Sequence, residues 1–371
     1  MHDACAPPPI RPGAMTLTSH PIPSPLPIVQ APMVGCGSEL AIAVCQAGGL
    51  GSIACAALTP DQLRAEGHAI RAKTDAPYNV NFFCHVPPPF DPAAQARWVA
   101  LLVPYYAEMG LDPASAGSGP GRAPFDEAMC EVVEELRPSV VSFHFGLPEA
   151  RLLERVRRCG AAIWSSATTV EEARWLEDHG ADAVIAQGVE AGGHRGMFLA
   201  TDVGAQPGLF ALLPQVVDAV KLPVVAAGAI MDGRAVAAAV MLGAKAVQMG
   251  SAFLLTPQAR RSELHKAAIR AARDDGTRLT NLYTGRPARG VLTRLMKEIG
   301  PMNADAPAFP LASGAIDTVR ARFEKQGRDE LSLLWAGEGA AMAREEDAGQ
   351  LVLRIVDEAR RALGSVDWPG G

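Results

Sequence analysis

Much of what this chain does is delimited by what its sequence lacks. No Cys-x-x-Cys pair and no His-x-x-x-His spacing occurs anywhere in it. Resident zinc and related metal sites are built on such spacings, so no metal is expected. There is no Lys/Arg-rich block: 34 basic residues face 40 acidic ones, for a formal charge of −6. The electrostatic footprint of a nucleic-acid or anionic-membrane binder is therefore missing, and a small molecule is the expected partner. No apolar run has the length of a membrane span. Residues 1–20 lack the apolar core flanked by basic residues that marks a secretory signal. They are expected to form a disordered tail, with Met15 an alternative start. The seven cysteines form an odd set, several of them inside apolar runs, which suits reduced packed thiols and a cytoplasmic location.

What is present is repetition. A short β-branched run, a turn, an Ala-rich helical stretch and a glycine recur along the chain, a βα alternation that implies a parallel sheet. Strands are expected at residues 27–32, 50–54, 78–82, 140–143, 162–165, 183–187, 224–226 and 246–249. Eight is the number required by a (β/α)8 TIM barrel. No G-x-G-x-x-G turn follows an early strand, so a doubly wound dinucleotide-binding sheet is the weaker reading. Helix starts are written by Ser38, by the capping box Thr59-Pro60-Asp61-Gln62, by Thr169…Glu172 and by Asp232. The division expected is a barrel over residues 21–262 with an insertion at 85–138 over its mouth. A smaller, mainly helical domain at 263–329 covers the site, and helices at 330–371 return to the barrel. In the last of these, Leu351, Leu353, Ile355, Val356 and Ala359 supply the apolar stripe.

Working residues of such a barrel lie at the carboxyl ends of its strands. The first end reads Ala31-Pro32-Met33, the third carries Asn81, and the sixth runs from Gln187 through Gly192-Gly193-His194. The seventh and eighth, Gly228-Ala229 and Gln248-Met249-Gly250-Ser251, bring glycine where backbone N–H groups can approach a phosphate. The same glycines would also serve simply to end strands and cap helices. Asn81, Gln187 and Gln248 need buried partners. A flavin's pyrimidine edge, a sugar or one another would satisfy them. His194, flanked by glycine and small residues, is expected to project into the mouth with a pKa near working pH, as a general base must. His85 and His144 are expected in supporting positions, and His179 at a helix terminus.

Six separated motifs carry a family resemblance: Pro27–Met33, Ala47–Ser52, Asn79–His85, Val141–Gly146, Gln187–Gly196 and Gln248–Ser251. Over most of residues 25–345 the chain resembles the nitronate monooxygenases, formerly 2-nitropropane dioxygenases, and among them the first class. The resemblance implies FMN held by Met33, Asn81, Gln187, Gly192, Gly228 and Gln248 to Ser251, with His194 catalytic. It also implies oxidation of alkyl nitronates such as propionate 3-nitronate by dioxygen, giving a carbonyl compound and nitrite. NAD(P)H-dependent enoyl-thioester or quinone reductases share the Gly192-Gly193-His194 region and form the alternative. A barrel binding a phosphorylated ligand without redox chemistry is the third. One departure stands out: pocket tyrosines common in that class are replaced here by Ala308-Phe309-Pro310-Leu311-Ala312-Ser313-Gly314-Ala315, implying a less hydroxylated pocket.

Overall fold

The computed structural model describes residues 22–117 and 122–364. The expected tail and Met15 lie outside them, as does most of the glycine-rich run after Ala116.

Strands in chain order are β1 (Ile28–Gln30), β2 (Gly51–Ala54), β3 (Tyr78–Phe83), β4 (Val140–His144), β5 (Ala162–Ala167), β6 (Ala183–Gln187), β7 (Gly193–His194), β8 (Val224–Ala227), β9 (Ala246–Met249), β10 (Thr277–Thr280) and β11 (Ala288–Val291). Eight form one parallel sheet in the order β1-β9-β8-β6-β5-β4-β3-β2. Its edges meet: the Leu50 N–H donates to Ile28 O and the Gln30 N–H to Leu50 O, both at 2.9 Å. The fold is thus a TIM barrel, with helices between the strands.

Alternation along each strand sorts side chains into two layers. Val29, Ile185, Val225 and Ala246 meet Trp164 and Leu50 in an interior cluster. Ile28, Val184, Ala186, Val224 and Val247 pack outward against helices. Local signals place those helices. Thr59 and Gln62 close their capping box at 3.2 and 2.9 Å, and Asp232 caps Arg234 and Ala235. Ser38 departs from expectation: the N-cap of the helix Gly37–Gln46 is Cys36, two residues earlier, and makes no side-chain cap. The Glu66 carboxylate of a neighbouring helix accepts from Ser38 N at 2.6 Å and does the capping.

The segment expected over the mouth forms the helix Pro92–Glu108, which packs into the second lobe. Trp98 donates to Ala312 O at 3.0 Å and Tyr106 to Ala315 O at 2.6 Å. The lobe is mainly helical, yet β10 and β11 form a hairpin in it that the helical reading of this stretch does not anticipate. β11 pairs with β7, so the lobe grips the barrel through backbone hydrogen bonds. The last helix, Ala348–Gly364, packs on Gly233, and any Cβ there would strike Glu358. Its buried stripe uses Val352; Leu353 is 45 % exposed, because a 3.6-residue period admits only one of the two.

Candidate functional site

The residues expected from the sequence to be catalytic or to hold a cofactor line one cavity at the carboxyl ends of the strands, with His144 among them; His85, His179 and Phe309 are not part of that lining. β1 and β9 end side by side, the Ala31 N–H donating to Met249 O at 2.8 Å, which sets Ala31, Pro32 and Met33 against Gln248, Met249, Gly250 and Ser251. β8 ends beside them in Gly228, at φ +138°, and Ala229, at φ +49°. The first value is one that residues with a Cβ rarely adopt, so the turn requires its glycine. Gly192 is fixed by a neighbour, since a Cβ there would come within 2.5 Å of Gly337 N.

The three amides behave differently. Asn81 donates to Ser142 Oγ at 2.9 Å on the adjoining strand. Gln187 is spent on the loop that follows it: its Nε2 donates to His194 O at 2.9 Å and its Oε1 accepts from Gly196 N at 2.7 Å. Gln187 therefore braces the cavity wall. Gln248 has a buried Oε1 with no partner among the described residues. A buried acceptor left unpaired costs about 1–3 kcal/mol, so this atom marks a place for a donor.

The sequence reading put His194 in an open loop, and the structure corrects it. Paired with Ala288 of β11, His194 is only 8 % exposed. Its ring lies among Phe83, Phe145, Phe309 and Trp335 at centroid distances of 5.8, 6.1, 5.4 and 5.6 Å. Burial, then the charges of Arg122, His144, Arg286 and His85, hold its pKa well below the ordinary histidine value. The imidazole is neutral at working pH. Its Nε2 sits 2.9 Å from Thr284 Oγ1, leaving Nδ1 without a partner among the described residues. His144 is the support: its Nε2 donates to His194 O at 3.0 Å while its Nδ1 accepts from Ser166 Oγ at 3.0 Å. Phe309 presents a ring without a hydroxyl, and the Ser313 hydroxyl is taken by Pro310 O at 2.8 Å. His179 binds the helix-terminal carbonyl of Trp175 at 2.7 Å.

Several lining residues escaped sequence reading. Gly337 N donates to Ser251 Oγ at 2.8 Å, and a Cβ on Gly339 would fall 2.6 Å from Met231 Cγ beside Ala229, so the Trp335–Gly339 loop closes over the β8 and β9 turns. The signal was the Gly-Glu-Gly run, far along the chain from any strand end. Arg122 on the lining, and Thr284 behind the His194 ring, carried no local signal.

A family profile described as nitronate monooxygenase matches residues 20–358. The chain belongs to the nitronate monooxygenase family. It is 41 % identical over 343 residues to a nitronate monooxygenase of Pseudomonas aeruginosa, covering 90 % of this chain and 96 % of the relative. A Paraburkholderia phytofirmans nitronate monooxygenase is 37 % identical, with 91 % and 93 % covered. Among solved structures, a nitroalkane oxidase from Streptomyces ansochromogenes superposes with a TM-score of 0.86 at 41 % identity, over 93 % of this chain and 99 % of its own. FabK from Thermotoga maritima follows at 0.70 and 28 %, covering 91 % and 94 %. This nitronate monooxygenase family member is accordingly an enzyme, an oxidoreductase.

Proposed function

We propose that this chain binds FMN in the cavity and oxidises alkyl nitronates with dioxygen, giving a carbonyl compound and nitrite. The observation that carries the reading is a neutral, buried imidazole in an aromatic box at the wall of a glycine-turned cavity. The lining fits a flavin mononucleotide. Gln248 Oε1 needs a donor, as a ring N–H supplies. The β8 and β9 turns, with the Ser251 hydroxyl, suit a phosphate at this barrel position. Ala31 to Met33, Asn81, Gln187, Gly192 and Gly193 would bound the remainder. When bound, the flavin supplies electron acceptance from the nitronate carbon and transfer to dioxygen.

The chain's own residues bind and orient. His194 Nδ1 faces the nitronate, with Thr284 fixing the ring's orientation through Nε2. Phe83, Phe145 and Phe309 exclude water, which strengthens each polar contact inside. The guanidinium of Arg286, whose charge reaches His194, makes the field beside the imidazole positive, favouring an anion over its neutral nitroalkane. A depressed pKa makes His194 a weak base, so abstraction of an α-proton from the neutral form is slow.

Purified protein given a preformed alkyl nitronate should consume oxygen and release nitrite, with the parent nitroalkane at least about tenfold slower. Absence of nitronate-dependent uptake, together with rapid NADH-driven flavin bleaching, would instead favour the reductase reading.

A further inference from the structure

One cation on the cavity wall has no partner among the described residues. Arg122 lines the same cavity as His194 and Phe83. Its Nε is buried without a hydrogen-bond partner, and among the described residues its guanidinium joins no ion pair. Arg122 is partly exposed, but a guanidinium N–H shut away from water without an acceptor is costly. Asp317 acts on it from a distance, but that carboxylate is held at 2.9 Å by Arg320, whose own charge opposes it. The imidazoles on this side, His85, His144 and His194, are all driven toward the neutral form and offer no counter-charge. Three residues on, the Phe125 N–H donates to Phe83 O at 2.7 Å, and the Phe125 ring packs on Phe82 at 4.6 Å. The backbone that carries Arg122 is therefore anchored to the strand that supplies the aromatic wall.

Two other guanidinium groups act here, and both are engaged. Arg261, on the cavity lining, donates to Val34 O at 2.7 Å. Arg286, whose charge reaches His194, is the second. It donates to Met197 O and lies 3.9 Å over the Phe145 ring. Among the described residues lining the cavity, Arg122 is the arginine whose guanidinium makes no hydrogen bond or ion pair. A guanidinium recognises a carboxylate by two parallel N–H donors, a geometry that an uncharged chain cannot satisfy.

We propose that Arg122 is a specificity-determining residue that holds a second anionic group on the substrate, a carboxylate carried at the far end of the nitronate's carbon chain. The inference rests on the nitronate reading above. In it, His194 meets the nitronate group while Arg122 selects dianionic over monoanionic substrates. Loss of the clamp acts on binding of the acidic substrate and leaves the reacting group in place.

The test compares flavin-loaded wild type, Arg122→Met and Arg122→Lys. Nitronate-dependent oxygen uptake is measured with propionate 3-nitronate and with propyl 1-nitronate, which has no carboxylate. Calorimetry with succinate, a non-reacting dianion, gives a binding constant independent of turnover. Arg122→Met should raise KM for propionate 3-nitronate about 10- to 100-fold, leave kcat/KM for propyl 1-nitronate within about threefold, and weaken succinate binding in parallel. Arg122→Lys should recover part of each loss. Equal losses on both nitronates, or no loss on either, would overturn the proposal while leaving the reaction standing. Should the wild type oxidise neither nitronate, the reaction reading fails and succinate still decides the clamp. Binding lost in Arg122→Met supports it; binding unchanged overturns it.

Discussion

At the scale of single residues, the environment of each imidazole decides its chemistry. Burial comes first among the causes that push His85, His144 and His265 down to about 4 from an ordinary value of 6.5. The unfolded chain then binds protons more readily than the folded one. Their stabilising contribution is full above about pH 6.5 and is lost as pH falls toward 4. Thermal midpoints should accordingly decline between pH 6.5 and 5, where carboxylates are still ionised; a midpoint flat across that window would contradict the buried, neutral assignment. Gly250 separates cofactor from fold. Its φ of −111° is open to any residue, and a Cβ there would meet only Ala31 at 3.5 Å and Met33 at 3.7 Å. Gly250→Ala should fold with an unaltered midpoint and lose flavin, read as the ratio of visible to protein absorbance. Full flavin retention would move the proposed phosphate grip elsewhere.

Elements show how far a local sequence signal carries. The turns after β8 and β9 were legible because a glycine directly after a short β-branched run ends a strand, and the cap residues Thr59 and Asp232 because they act within three positions. Thr169 was legible as a cap and accepts from Glu172 N at 3.2 Å; what its spacing did not reveal is where the Glu172 carboxylate goes. Glu172, fully buried, turns away from Thr169 and accepts from Thr168 N and Oγ at 2.7 Å and from Phe198 N and Leu199 N at 2.6 and 3.0 Å. It ties a barrel helix to the loop beyond His194. Removing it orphans several buried donors, so Glu172→Ala should cost about 3–5 kcal/mol in denaturant titration. A loss below about 1 kcal/mol would show that water replaces the carboxylate. The ribbon of β7, β10 and β11 was illegible for a related reason. A two-residue strand has no periodicity, and its partner β11 begins at Ala288, far along the chain. The open, ordinary His194 expected from its small neighbours failed on that point, since the burying groups Thr284, Phe309 and Trp335 all come from the second lobe.

For the molecule as a whole, βα alternation made the barrel legible, because eight repeats of one unit leave closure as the way to hide both edges. Assembly of the lobe from the 92–108 helix and the segment after residue 263 was not, since their contacts link residues about two hundred positions apart, as Trp98 and Ala312 do. That assembly seats Phe309 and Trp335 beside the His194 ring at the strand ends, where the proposed anionic substrate would meet a neutral imidazole. The central claim is that this cavity holds a flavin which nitronates reduce. It is tested most directly by the visible spectrum of the purified protein before and after anaerobic addition of propionate 3-nitronate. An oxidised flavin spectrum is expected at the outset, with its loss on addition. A flavin left oxidised, or a colourless protein, would contradict it.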